Sequence, residues 1–134
     1  MSLTITPDQH HTFLSSQAEE FRSTYHVGNS ISREARSRQK DLIVEEFKEF
    51  LEADGRMFRT GQDAKTNCLK ELSDLVYVCY QYAANQGWDL DEALDRVHKS
   101  NMSKLDTNGQ PIFREDGKVL KGPNYAPPNL EDLV

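Results

Sequence analysis

The chain has 134 residues, 28% of them charged, and a formal net charge of −6. That length suits one domain that buries a core without disulfide or metal staples. The acidic balance argues against nucleic acid as a main partner, because such binders carry a basic excess or a basic stripe.

The first helix opens at "TPDQ", where Thr6 can cap, Pro7 takes the first helical position and Gln9 completes a capping box. It runs to about Tyr25, and Gly28-Asn29 breaks it. Phe13, Phe21 and Tyr25 on this helix read as core; His10 and His11 have no companion ligands. The second helix starts near Ser32 and ends at Gly55 or a few residues beyond, with Ile43, Phe47, Phe50, Leu51 and Phe58 as its apolar stripe. Within it, "VEEFKEF" (44–50) crowds Glu45, Glu46 and Glu49 onto neighbouring turns, where like charges repel. An acidic run of this kind is ordinarily a solvated face.

The third helix begins near Asp63 and stops at Gln86 before Gly87. Leu69, Leu72, Val76, Cys79 and Ala83 follow the spacing of a packed seam, with Leu75, Val78 and Tyr82 beside it. So apolar a helix belongs in a bundle centre or a subunit interface. Glu71 lies within the second stripe and Asp74 at its edge. A carboxylate there must be paired, protonated or metal-bound. Tyr77, one turn after Asp74, reads as core. The fourth helix opens at "DLDE", with Asp89 as cap, Glu92 reaching back, and Leu90, Leu94 and Val97 as core. Asn101 continues that stripe, and Trp88 packs at the helix start.

Four of the five prolines and three of the seven glycines lie at or after Gly109. That shift separates a helical body (1–105) from a turn-rich tail (106–134) within one domain, 1–134. In the tail, "DGK" marks a turn between "PIF" and "KVL". Short connections and the lack of alternating strands predict an all-α four-helix bundle with an irregular C-terminal tail.

The N-terminus shows no basic segment followed by an apolar one, and no run approaches about 18 apolar residues. No signal peptide or membrane span is expected. Cys68 and Cys79, about 16 Å apart on one helix, read as thiols in a reducing cytoplasm. Acids at i, i+3 on two helices bordering the core can face each other. Glu45, Glu46, Glu49, Glu71 and Asp74 would then repel unless a hard cation sat between them, as Mg²⁺ does with a few carboxylates plus substrate phosphates.

"EEFKE" and "ELSD", with 21 residues between them, fit EExxE…ExxD. This resembles the MazG-like, all-α nucleoside triphosphate pyrophosphohydrolases, and the segment from "ELSD" through "NMSKLD" is similar to the dimeric dUTPase-related branch. The tail "REDGKVLKGPNYAPPNL" resembles that branch's C-terminal segment. The similarity covers roughly residues 40 to 130. It implies hydrolysis of an NTP or dNTP between the α- and β-phosphates, with dNTPs preferred. It also implies Mg²⁺ or Mn²⁺ held by Glu45, Glu49, Glu71 and Asp74, with Glu46 as ligand or base. Asn101 and Lys104 would face the nucleotide. Apart from the resemblance, Lys118 and Lys121 are basic residues in an acidic chain that either close over phosphates or balance the surface, and the tail can instead pack on a partner subunit. Arg96, His98 and Lys99 read equally well as solvated. A homodimer or homotetramer is expected, and the phosphoribosyl-ATP family fits less well than the dUTPase-related branch. A dedicated dUTPase and a non-catalytic helical binding protein are the alternatives.

Overall fold

This computed structural model describes residues 13–58 and 61–134, and among the described residues there are four α-helices. They are α1 (Leu14–Thr24), α2 (Arg33–Met57), α3 (Gly61–Gln86) and α4 (Leu90–Met102); a 3₁₀ turn follows at Glu131–Leu133. Among the described residues there is no β-strand, only an isolated antiparallel bridge between Phe113 and Val119. The fold is all-α with an irregular tail. The expected roles of Thr6, Pro7, Gln9, His10 and His11 lie outside the described residues.

Local chemistry sets the boundaries. His26 adopts a left-handed φ of 56° just past α1, a conformation that stops a helix. Ser32 caps α2, its hydroxyl accepting from the Ala35 N–H at 3.2 Å. At the end of α3, Gly87 (φ 76°) donates to the Ala84 carbonyl and Trp88 to that of Ala83. That pair of bonds is the Schellman closure that glycine favours. Asp89 caps α4 by accepting from the Glu92 N–H. The Glu92 carboxylate does not reach back as expected; it accepts from Arg96 Nε at 2.9 Å.

The chain divides after Trp88 into two compact units, which places α4 with the tail. In the first unit, α2 packs along α3, and α1 lies against α3. The buried positions are mostly small: Ala18, Ala35, Ala53, Ala64, Cys68 and Ala83, together with Tyr80. Small residues let helices approach closely, and apart from Tyr80 the large apolar side chains are half-buried or exposed. Phe13, Phe21, Tyr25 and Tyr77, expected in the core, are exposed, as are Phe47, Leu51 and Phe58 of the α2 stripe, while Trp88 packs as expected, its ring 6.0 Å from that of Tyr82. The α3 seam is likewise open on the single chain, with Leu69 64%, Leu72 41% and Val76 43% exposed.

One buried polar network ties α1 to α3. Arg22 is 4% exposed. Its guanidinium donates to Gln81 Oε1 and Asn85 Oδ1, each at 3.1 Å, to Asn29 Oδ1 at 2.6 Å and to the Gly28 carbonyl at 3.1 Å. Asn85 in turn bonds both backbone groups of Ser30. The α1–α2 connection is thus held by side chains of α3. A buried charge is tolerated only when hydrogen-bonded in this way, and burial holds the Arg22 pKa below its ordinary value.

The second unit is α4 with the tail folded back on it. Arg96 forks onto Asp132, with Nη2–Oδ2 at 3.0 Å, and donates to the Asn129 carbonyl. The Ser103 hydroxyl accepts from the Ala126 N–H, and the Gly122 N–H donates to the Lys104 carbonyl. The expected "DGK" turn is present: Gly117 (φ 89°) lies between Arg114 and Lys118, whose backbones bond each other, and Arg114 is paired with Asp116.

Candidate functional site

Two long helices packed side by side place acids at i, i+3 on one against acids at i, i+3 on the other. One carboxylate oxygen from each of Glu46, Glu49 and Glu71 lies within 4.8 Å of the others. Like charges this close share protons or bind a cation. Burial raises the Glu46 pKa to about 7, helped by its hydrogen bond to Glu49 and by the charges of Glu49, Asp74 and Glu71. Glu46 Oε2 and Glu71 Oε2 are buried without a hydrogen-bond partner among the described residues. A buried acceptor left empty costs free energy, so both oxygens fit a missing donor or cation. Oxygen ligands of this number and charge suit Mg²⁺ or Mn²⁺.

Asp74 joins the cluster through its field on Glu46 and through a lysine. Lys70 Nζ lies 2.7 Å from Asp74 Oδ2 and 3.6 Å from Glu71 Oε1. The bond to Asp74 raises the Lys70 pKa. Glu45 is exposed and stands outside the three-oxygen group. Of the five acids in the motif, then, three converge, a fourth adjoins them and the fifth faces outward.

The remaining candidates belong to the second unit. Asn101 is exposed, as is Leu94, so the expected α4 core stripe does not continue to Asn101. Asn101 and Lys104 do share a cleft of about 380 Å³ with Met102, Leu105, Pro111 and Val119. Lys121 Nζ sits 4.7 Å over the Tyr125 ring, a cation–π contact. Lys118 is exposed and contributes its backbone to the tail turn. Arg96 and Lys99 have structural partners in Asp132 and Asp95.

Sequence reasoning missed Lys70 and the Arg22 network. The first was visible as an i, i+4 pair with Asp74. The second had a fainter signal, Gln81 and Asn85 one turn apart in an otherwise apolar stretch.

A family model described as "Phosphoribosyl-ATP pyrophosphohydrolase" matches residues 8–101. A protein of Acanthamoeba polyphaga mimivirus, uncharacterized protein L479, is 35% identical over an alignment covering 48% of this chain and 34% of that protein. The alignment thus spans about a third of the relative's length. The family match falls in the all-α superfamily expected from the motif, on the member family that "NMSK" and the tail argued against. It ends at Asn101, so the tail lies outside it. No described helix is long and apolar enough to cross a membrane.

Proposed function

The chain belongs to the phosphoribosyl-ATP pyrophosphohydrolase family, and we propose that it hydrolyses a nucleoside triphosphate between the α- and β-phosphates, releasing a monophosphate and pyrophosphate. The observation that carries this reading is the convergence of Glu46, Glu49 and Glu71 with two buried, unpartnered carboxylate oxygens. Glu45, Glu49, Glu71 and Asp74 would hold the metal, Glu45 after turning inward from its exposed position. A bound Mg²⁺ or Mn²⁺ would supply charge neutralisation on the phosphates and a water of lowered pKa.

Glu46 is the proton acceptor in this proposal. Its pKa of about 7 is matched to a general base at neutral pH, and its buried Oε2 has no competing donor among the described residues. In the second unit, Asn101, Lys104, Lys118 and Lys121 are proposed substrate contacts, the lysines as point charges for phosphate. The preferred substrate is a dNTP. The family match favours a second reading with the same bond broken: phosphoribosyl-ATP in place of a free triphosphate. The exposed seam of Leu69, Leu72 and Val76 supports a homodimer or homotetramer, since apolar patches of this kind mark interaction surfaces. Free Cys68 and Cys79 are consistent with a cytoplasmic setting.

The test is turnover of a panel of NTPs, dNTPs including dUTP, and phosphoribosyl-ATP, with Mg²⁺ and then Mn²⁺. Glu71→Gln should abolish turnover. Full activity in that variant would return the acids to a solubility role and favour a non-catalytic helical binding protein.

A further inference from the structure

We propose that Lys70 is an exchangeable counter-cation that occupies the acid cluster in the metal-free protein and competes with the divalent cation for Asp74. This rests on the metal reading above. Among the described residues, no other basic side chain is ion-paired with Glu45, Glu46, Glu49, Glu71 or Asp74. Lys70 joins the two α3 acids, and it holds the more exposed of them at hydrogen-bond distance: the Asp74 side chain is 36% exposed and that of Glu71 13%.

The geometry gives the exchange its direction. The Asp74 oxygen that faces Lys70 Nζ at 2.7 Å is engaged by the ammonium, and a cation drawn to the same oxygen is repelled by that like charge. Lys70 is free to leave, because its side chain is 64% exposed and an ammonium on a flexible stem is readily rehydrated. The lysine therefore has two opposed effects. It relieves carboxylate repulsion when no metal is bound, and it weakens metal binding by the strength of its own pairing. Exposed pairs of this kind shift equilibria modestly, so the effect tunes affinity without blocking the site.

The experiment is calorimetric titration of Mn²⁺ into the metal-free protein, without nucleotide, for wild type, Lys70→Met, Lys70→Arg and Lys65→Met. Lys65 lies on the same helix and controls for net charge. Lys70→Met should bind Mn²⁺ about two- to fivefold more tightly, whereas Lys70→Arg and Lys65→Met should stay near wild type. In EDTA, Lys70→Met should melt at a lower temperature than wild type, and saturating Mn²⁺ should close that gap. Unchanged or weaker binding in Lys70→Met, or equal tightening in Lys65→Met, would overturn the proposal. If wild type takes up no Mn²⁺, the metal reading itself fails.

Discussion

Glu46 combines the two properties a cation site and a base both require. It is partly buried, and its neighbours are negative. The folded-state pKa of about 7 lies above the ordinary 4.5, so the folded protein binds this proton more tightly than the unfolded chain. Its contribution to stability is complete below about pH 4.5 and is lost as pH rises through 7. Denaturation in EDTA should therefore show wild type losing stability relative to Glu46→Gln between pH 5 and pH 8. A difference constant with pH would contradict this. A divalent cation held by the neighbouring acids favours the ionised form of Glu46, so Mn²⁺ affinity of wild type should rise with pH up to about 7 and then level off. Proton release, read by calorimetry in two buffers, checks it. Under the catalytic proposal, Glu46→Gln should bind Mn²⁺ yet lose about 10²–10⁴-fold in turnover. Unchanged turnover would remove Glu46 from the role of base.

The elements explain how those residues meet. Asp89 and Gly87 were legible as cap and stop, and Ser32 as a helix start, because each satisfies backbone groups by a local, sequence-specific bond. The i, i+3 acids were legible for the same reason: helical spacing places them without tertiary knowledge. What joins the elements was not legible. Arg22 reaches partners 59 and 63 residues away on α3, and nothing in its neighbourhood distinguishes it from a surface arginine. Replacing it with Met would strip donors from Gln81 and Asn85 and free the Gly28–Ser30 connection. We expect about 2–4 kcal/mol of destabilisation by urea denaturation. A loss below about 0.5 kcal/mol would mean that the network is solvent-rescued. In the tail, Gly122 approaches α4's end so closely that a Cβ would lie 2.1 Å from the Leu105 carbonyl oxygen. Gly122→Ala should loosen the arm by about 1–3 kcal/mol, seen as faster hydrogen exchange at the Gly122 and Ala126 amides with α1–α3 unaffected.

For the whole molecule, the sequence reading identified an all-α fold but misjudged which apolar residues a single chain buries. Periodicity reports that Leu69, Leu72 and Val76 form a stripe; it does not report whether the cover is the same chain or another. The buried set is dominated by alanine, whose small size lets helices approach and whose weak hydropathy hides it from a search for large apolar residues. The open seam has a direct consequence under the oligomer proposal. Sedimentation should show a dimer or larger species at micromolar concentration, and Leu72→Glu with Val76→Glu should shift it toward monomer. A monomeric wild type would leave the seam without its proposed cover. The candidate site was the more legible half of the problem, because four of its acids, and the i, i+4 pairing of Lys70 with Asp74, follow from spacing on two helices.

The most direct test of the central claim is product identity. The protein should be incubated with its fastest triphosphate from the panel, in Mg²⁺ and in EDTA, and the products separated by ion exchange. The account predicts monophosphate and pyrophosphate in equal amounts, formed only with the divalent cation. Diphosphate and inorganic phosphate would contradict the assigned bond, and product formation undiminished in EDTA would contradict the role given to Glu49, Glu71 and Asp74.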